Sequence, residues 1–384
     1  MSIMPEQDSV LHLLILSQLP GIGPSRAKSL LARFGIDGSM LKADTERLKQ
    51  VPGIGETLAR ETADRLSSRL WTEQARQRAL EQIDRAERLQ VSLITIYDRT
   101  YPALLKEIYD PPPLLFVRGN PELLSRPSIA VVGTRKATAY GKQATEIICR
   151  ELVDSGFTIL SGLAFGIDMT AHRAALEHGG VTIAILGSGV DTIYTDPTGK
   201  IWPKIIEHGA IVSEEWIGTE PVPGNFPRRN RLISGMTPGT LVVESDIKGG
   251  SMITAACALE QNREVFAIPG SIFARTSRGT NLLIQQSQAK PVLSADDILS
   301  ELLPAGRTVS ASPQCPSSLL SSMTPGENRI LAALEEQPLH IDLIAEKTGL
   351  PIETLLVDLF ELELKRIITQ EPGQCYRVQH HGER

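Results

Sequence analysis

The sequence predicts an α/β protein: a doubly wound, mostly parallel sheet flanked by an N-terminal helical, helix-hairpin-helix (SAM-like) domain and a C-terminal winged-helix domain. Three observations predict it. Six short apolar runs alternate with helical patterns between residues 91 and 303, the mark of parallel strands joined by crossover helices. The tetrapeptide Pro-Gly-Ile-Gly occurs at residues 20–23 and again at 52–55, each time ahead of a helical pattern. After a Ser/Pro-rich stretch, helical periodicity resumes in the order helix, Thr-Gly-Leu turn, helix, hairpin.

Residues 1–80 form the first expected domain. In "LPGIGPSRAKSLLARFG" and "VPGIGETLARETADRL" an apolar residue sits between two glycines and a helix follows. The glycines permit a tight turn, and the helix start leaves free amides that suit a phosphate. Arg26 and Lys28 follow the first copy, whereas Glu56, Arg60, Glu61 and Asp64 follow the second. The residues leave two readings open, a DNA contact by the first copy or a structural turn in both.

Residues 81–303 hold the expected sheet. Its strands are "SIAVVGT" (128–134), "FTILSG" (157–162), "VTIAILG" (181–187), "AIVSE" (210–214), "GTLVVES" (239–245) and "EVFAIPG" (264–270). Continuous Val, Ile and Leu runs mean strands covered on both faces, so ligands belong at the strand C-terminal ends. Residues 304–326 are rich in Ser and Pro and read as a linker. Residues 327–384 complete the winged helix. Its second helix carries Glu353 and Asp358, with no Lys or Arg before Lys365. A major-groove reader needs basic or amide side chains, so this module reads as a protein-interaction or degenerate one.

Three glycine turns fall on one edge of that sheet. Gly133, Thr134 and Arg135 follow the first strand, and Ser161, Gly162 and Gly166 follow the second. Lys248, Gly250 and Ser251 follow the fifth, at a helix start. Together they form a phosphate-binding rim of backbone amides. None is GxGxxG or GxxxxGK[ST], so a dinucleotide site and P-loop hydrolysis are disfavoured. The segment "NFPRRNRLISGM" adds Phe226, Arg228, Arg229, Asn230 and Arg231, a pattern that suits an anionic, planar ligand.

Composition sets the outer bounds. The 384 residues carry 39 Lys and Arg against 45 Asp and Glu, a net charge of −6, which excludes a globally basic nucleic-acid binder but not a local basic pocket. Cys149, Cys257, Cys315 and Cys375 are scattered, without the spacing of a zinc site, and fit reduced thiols in the cytoplasm. No metal site, cofactor, membrane span or signal peptide is expected. Catalytic patterns are thin: Asp168 and His172 share a helix face, and neither GxSxG nor a motif-bearing Cys occurs. No enzyme activity is expected.

From "YPALLKEIYDPPPLLFVRGN" through "VVGTRKATAYG", "SGLAFGIDMTAH", "TIAILGSGVD", "FPRRNRLISGM", "LVVESDIKGGSMITA", "VFAIPG" and "GTNLLI", the ordered strings resemble the DNA-processing protein A (DprA, also called Smf) family over residues 90–290. The resemblance implies an extended Rossmann-like fold that binds single-stranded DNA, a homodimer, delivery of the strand to the recombinase RecA, and a part in natural transformation. It also implies that Gly133, Thr134 and Arg135 hold phosphate, that Ser161, Gly162 and Gly166 line the groove, and that Phe226 stacks on a base. Arg229, Asn230 and Arg231 would shape the basic pocket, and Lys248, Gly250 and Ser251 would close it. The dimer would use the segment with Leu282, Leu283, Ile284, Leu302 and Leu303. One departure lies after the third strand, where the family's Tyr-Pro is replaced by Tyr194, Thr195, Asp196 and Pro197, with Lys200 beyond. The alternative from another class is a Rossmann-like nucleotide hydrolase of the lysine-decarboxylase-like type. Its PGGxGTxxE signature has no counterpart beyond the glycine pair of "IKGGSMITAA".

Overall fold

The computed structural model describes residues 5–303, 325–334, 339–364, 368–371 and 375–378. Residues through 311 form one compact unit and those from 312 onward a second. The expected linker at 304–326 falls almost wholly outside the described residues.

The first unit opens with five helices, α1 (Pro5–Leu16), α2 (Pro24–Phe34), α3 (Thr45–Lys49), α4 (Glu56–Ser67) and α5 (Arg69–Arg88). Each Pro-Gly-Ile-Gly copy makes the same turn. Gly21 and Gly53 sit at φ of 75° and 82°, a region that favours glycine, and Gly23 and Gly55 cap α2 and α4. The exposed cations of the first copy bond backbone carbonyls. Arg26 donates from Nε to the Gly53 carbonyl at 2.8 Å and from Nη1 to that of Gly21 at 2.5 Å, tying the two turns together. Lys28 donates to the Ile108 carbonyl at 3.0 Å. Of the two readings left open, the structure thus supplies a structural duty for both residues. Leu13, Leu16, Leu30 and Leu48 share one core with Phe116, Ile205 and Ile211 of the neighbouring sheet region, so the helices are seated on the sheet.

Nine strands follow: β1 (Val91–Thr95), β2 (Leu114–Gly119), β3 (Ser128–Val132), β4 (Thr158–Ser161), β5 (Thr182–Leu186), β6 (Ala210–Ser213), β7 (Gly239–Val242), β8 (Glu264–Ala267) and β9 (Lys290–Pro291). Their order is β1-β2-β6-β5-β4-β3-β7-β8-β9. All neighbours from β6 to β9 are parallel, while β1 and β2 extend the sheet antiparallel. The six strands expected from the sequence are β3 to β8. The intervening helices are α6 (Ala103–Glu107), α7 (Ala139–Asp154), α8 (Ile167–Glu177), α9 (Trp202–His208), α10 (Asn225–Gly235), α11 (Gly250–Glu260), α12 (Arg278–Gln285) and α13 (Ala295–Leu302).

Alternation along the strands builds a core on each face. Ile129 and Val131 pack with Ile148, Leu152, Ile167 and Ile298 from α7, α8 and α13. Ala130 and Val132 pack with Leu105, Leu232, Ala255 and Leu283 from α6, α10, α11 and α12. The chain winds one way from β3 to β6 and the other way from β7 to β9. Hence the topological switch point lies between β3 and β7, where open α/β sheets bind ligands. Of the apolar run expected at a dimer contact, Leu283 is buried, Ile284, Leu302 and Leu303 pack half-buried against the two cores, and Leu282 is half-buried outside them. The exposed apolar residues nearby are Ile272, Phe273 and Leu293.

The second unit has α14 (Pro325–Leu334), β10 (Leu339–His340), α15 (Ile341–Thr348), α16 (Ile352–Leu364), β11 (Ile368–Glu371) and β12 (Cys375–Val378). A three-stranded sheet, β10-β12-β11, packs on its own core of Ile330, Ile344, Leu355, Leu359 and Tyr376. Gly349 closes α15 at φ 65°. This is the expected winged helix. No helix among the described residues is long and apolar enough to cross a membrane.

Candidate nucleic-acid interface

A cleft of about 430 Å³ opens at the switch point. It gathers eight of the expected residues: Gly133, Thr134, Arg135, Phe226, Arg229, Asn230, Gly250 and Ser251. Ser161, Gly162, Gly166, Arg231 and Lys248 do not line it.

The wall after β3 is shaped by close packing. A Cβ on Gly133 would press into Ile167 of α8, so glycine lets that helix approach the strand end. The Thr134 amide donates to the Glu244 carbonyl at 2.8 Å, and its own carbonyl accepts from Ile167 at 3.2 Å. The turn is thereby pinned to both neighbours, and Arg135 is left exposed at its tip. Its guanidinium lies 5.5 Å from the centre of the half-buried Phe226 ring, in cation–π contact. Tyr194 meets the same ring edge-on, centroids 5.9 Å apart and planes at 65°. Tyr194 was not among the expected contacts. Its signal was present in the sequence, as one of few aromatics in a loop leaving a strand end.

The opposite wall is the start of α11. Gly249 caps it without a side-chain bond, and a Cβ on Gly250 would meet open space. Uncapped amides at a helix start attract anions. Lys248 is exposed on the same loop but outside the cleft. The buried Ser251 hydroxyl donates to that of Ser245 at 2.8 Å, so this side chain secures the loop. Asp246 also lines the cleft. The Arg275 guanidinium, 2.6 Å away, holds its carboxyl below the usual carboxylate range.

The second glycine turn supports the first one. The Ser161 hydroxyl is buried and donates to the Val131 carbonyl at 2.6 Å. The Gly162 amide donates to Asp168 at 3.1 Å. Gly166, at φ 83°, backs onto the Thr134 carbonyl so closely that no side chain fits between them.

The arginines of α10 are mostly committed elsewhere. Arg229 is buried and donates to the Gly162 carbonyl at 2.6 Å, to the Ile185 carbonyl, and to Asn230 Oδ1 at 3.3 Å. Asn230 in turn donates to the Gly250 carbonyl at 3.3 Å. Arg231 pairs with Glu214 and, at 3.3 Å, with Asp110. Arg228 lies 3.6 Å from Glu215. Of the guanidiniums expected in the basic pocket, Arg231 lies outside the cleft and faces the carboxylates of Glu214 and Asp110. Arg229 braces the ends of β4 and β5, and Arg135 is the exposed cation of the cleft.

Asp168 and His172 do not work as a pair. Burial raises the Asp168 carboxyl, while Arg229 and the Ala164 and Gly162 amides pull it back. His172 is fully buried, its Nδ1 2.7 Å from the Thr182 hydroxyl, which itself donates to the Ile159 carbonyl. Burial and then Arg229 lower its pKa from 6.5 to about 3. A depressed histidine keeps its stabilising neutrality above pH 6.5 and loses it as pH falls toward 3. Between pH 6.5 and 5 this group is expected to remove about 2 kcal/mol. Denaturant midpoints of His172→Gln and the parent protein, measured at both pH values, check this: the variant should show a shallower acid loss, and parallel losses would refute it.

Residues 92–303 match the family model described as DNA recombination-mediator protein A. Residues 312–374 match the DprA winged helix domain and residues 13–66 the SAM-like helix-hairpin-helix tandem. The chain is 33% identical to Protein Smf of Synechocystis sp., over 94% of this chain and 96% of that protein. It is 39% identical to Protein Smf of Escherichia coli, over 74% and 77%. The crystal structure of DNA processing protein A from Streptococcus pneumoniae aligns with a TM-score of 0.60 at 34% identity, covering 78% of this chain and 99% of that one. A structure concerning the single-stranded DNA binding mode of DNA processing protein A from Helicobacter pylori aligns with a TM-score of 0.50 at 32% identity, covering 55% and 95%.

Proposed function

We propose a function from one premise: the chain belongs to the DNA recombination-mediator protein A family. In this reading the cleft binds single-stranded DNA, and the protein protects incoming strands and loads the RecA recombinase on them during natural transformation and homologous recombination. The observation that carries it is the juxtaposition of Arg135, Phe226 and the uncapped start of α11 in one cleft. An unpaired base offers a π-face to Phe226 while its phosphates meet the guanidinium and the helix amides. Bases inside a duplex are stacked on each other and cannot make that contact. A labelled single strand is therefore expected to bind at least tenfold more tightly than a blunt duplex of equal length, a gap that a single base–aromatic stack already supplies (~1–3 kcal/mol). Equal affinities in a fluorescence titration would sink the reading.

The homodimer belongs to the same proposal. Its support is an exposed apolar group: Ile272, Phe273 and Leu293 are 76%, 90% and 83% exposed. They follow the ends of the paired strands β8 and β9, on one border of the sheet. An exposed cluster of this kind marks an interaction site.

A further inference from the structure

A second, larger cavity of about 680 Å³ lies between α8 and α9. Consecutive residues serve the two cavities: Ala164 and Asp168 line the cleft, Phe165 and Met169 the groove. Gly166 backs onto the Thr134–Arg135 turn of the cleft, and its neighbour Phe165 lines the groove. Tyr194 meets the Phe226 ring edge-on, and its neighbour Thr195 lines the groove. Phe165 is 51% exposed. The floor is apolar, with Met169, Leu176 and Ile201. Arg173, Lys200 and Lys204 stand exposed around it and make no ion pair with the described residues. The Asp196 carboxylate on the same wall is occupied: it accepts the amides of Lys200, Ile201 and Trp202 at 2.7 to 3.1 Å, holding the start of α9 in place.

We propose that this groove is a second single-strand subsite, into which a strand leaving the cleft passes over Tyr194, with Phe165 as its stacking platform and Arg173 and Lys204 as phosphate contacts. The inference rests on the single-strand reading of the cleft. Two features select this occupant. The groove repeats the chemistry of the cleft, one exposed aromatic beside exposed cations, which is how sequence-tolerant single-strand sites are built. It also borders the same chain segment as the cleft, residues 164–169, so one flexible polyanion can reach both, and the second contact gains from the high effective concentration set by the first.

Glu177 and Glu207 also line the groove, one helical turn from Arg173 and Lys204, and they limit the net positive charge a strand meets there. The cleft and the groove then make separable contributions. An oligonucleotide long enough only for the cleft ignores the groove, whereas a longer one uses both.

Oligothymidylates from about 4 to about 16 nucleotides, the range of site sizes per single-strand-binding fold, test this with the full chain. The parent protein should show affinity that rises in two steps with length. Phe165→Ala should abolish the second step, lowering affinity for the longest strand roughly 5- to 150-fold, the measure of one lost base stack, while leaving the shortest strand unaffected. Arg173→Gln combined with Lys204→Gln should flatten the salt dependence of the longest strand by about 1.4, or about 0.7 per phosphate contact, again without touching the shortest. All three side chains are exposed, so the variants should fold, which circular dichroism confirms. If both variants bind the longest strand with parental affinity and salt slope, the groove is not a subsite. Equal losses for short and long strands would also overturn it, because the groove would then act only through the cleft. Failure of the parent protein to bind any length would instead refute the single-strand reading itself.

Discussion

Replacing Arg229 by Ala is expected to destabilise the first unit by about 3–5 kcal/mol, the cost of removing one partner from a buried charged network. Arg229 is 6% exposed, and its guanidinium holds the carbonyls of Gly162 and Ile185. Without it those acceptors lose their donor, and Asp168 loses the buried cation that opposes its desolvation. Gly162 belongs to the same arrangement, because a Cβ there would overlap the guanidinium. Urea or thermal unfolding measures the effect. Parental stability in Arg229→Ala would show that the brace is not needed and would leave the residue free for a ligand.

Arg135→Ala and Phe226→Ala should separate charge from stacking in one cleft. Arg135 is exposed and contacts Phe226 only by its face, so its loss should leave stability almost unchanged. Single-strand binding should weaken for every sequence alike, and the slope of log affinity against log salt should flatten by about 0.7, one released counterion's share. Phe226→Ala should cost about 1–3 kcal/mol of binding with the salt slope nearly intact, because stacking releases no ions. Phe226 also touches Tyr194, so folding is checked by circular dichroism. Parental affinity and salt slope in a folded Arg135→Ala would mean that DNA binds elsewhere.

The contrast between Arg135, Arg229 and Arg231 shows how far the site was legible. All three are arginines near glycine turns, and local pattern gave them equivalent roles. Periodicity along α10 cannot say whether its inner face meets apolar side chains, strand-end carbonyls or carboxylates. Arg229 bonds a residue 67 positions away and Arg231 one 121 away. Pairings at that separation have no local signal. Ser161 and Gly166 stand behind the cleft rather than on its wall for a related reason. A turn after a strand can face the ligand or brace another turn, and only the packing of α8 under the β3 turn decides between them.

The sequence by itself determined the six parallel strands, the two glycine-led helical hairpins, the winged-helix order and the three turns on one sheet edge. These follow from side-chain period, from the φ angles that glycine permits and from helix-start chemistry, all of which act within a few residues. Tertiary structure alone decided the antiparallel extension by β1 and β2, the carbonyl partners of Arg26 and Lys28, and which guanidinium of the cleft stands exposed. A buried polar group must find a partner wherever the fold brings one. Once Glu214, Asp110 and the ends of β4 and β5 have taken theirs from α10, Arg135 stands exposed beside Phe226.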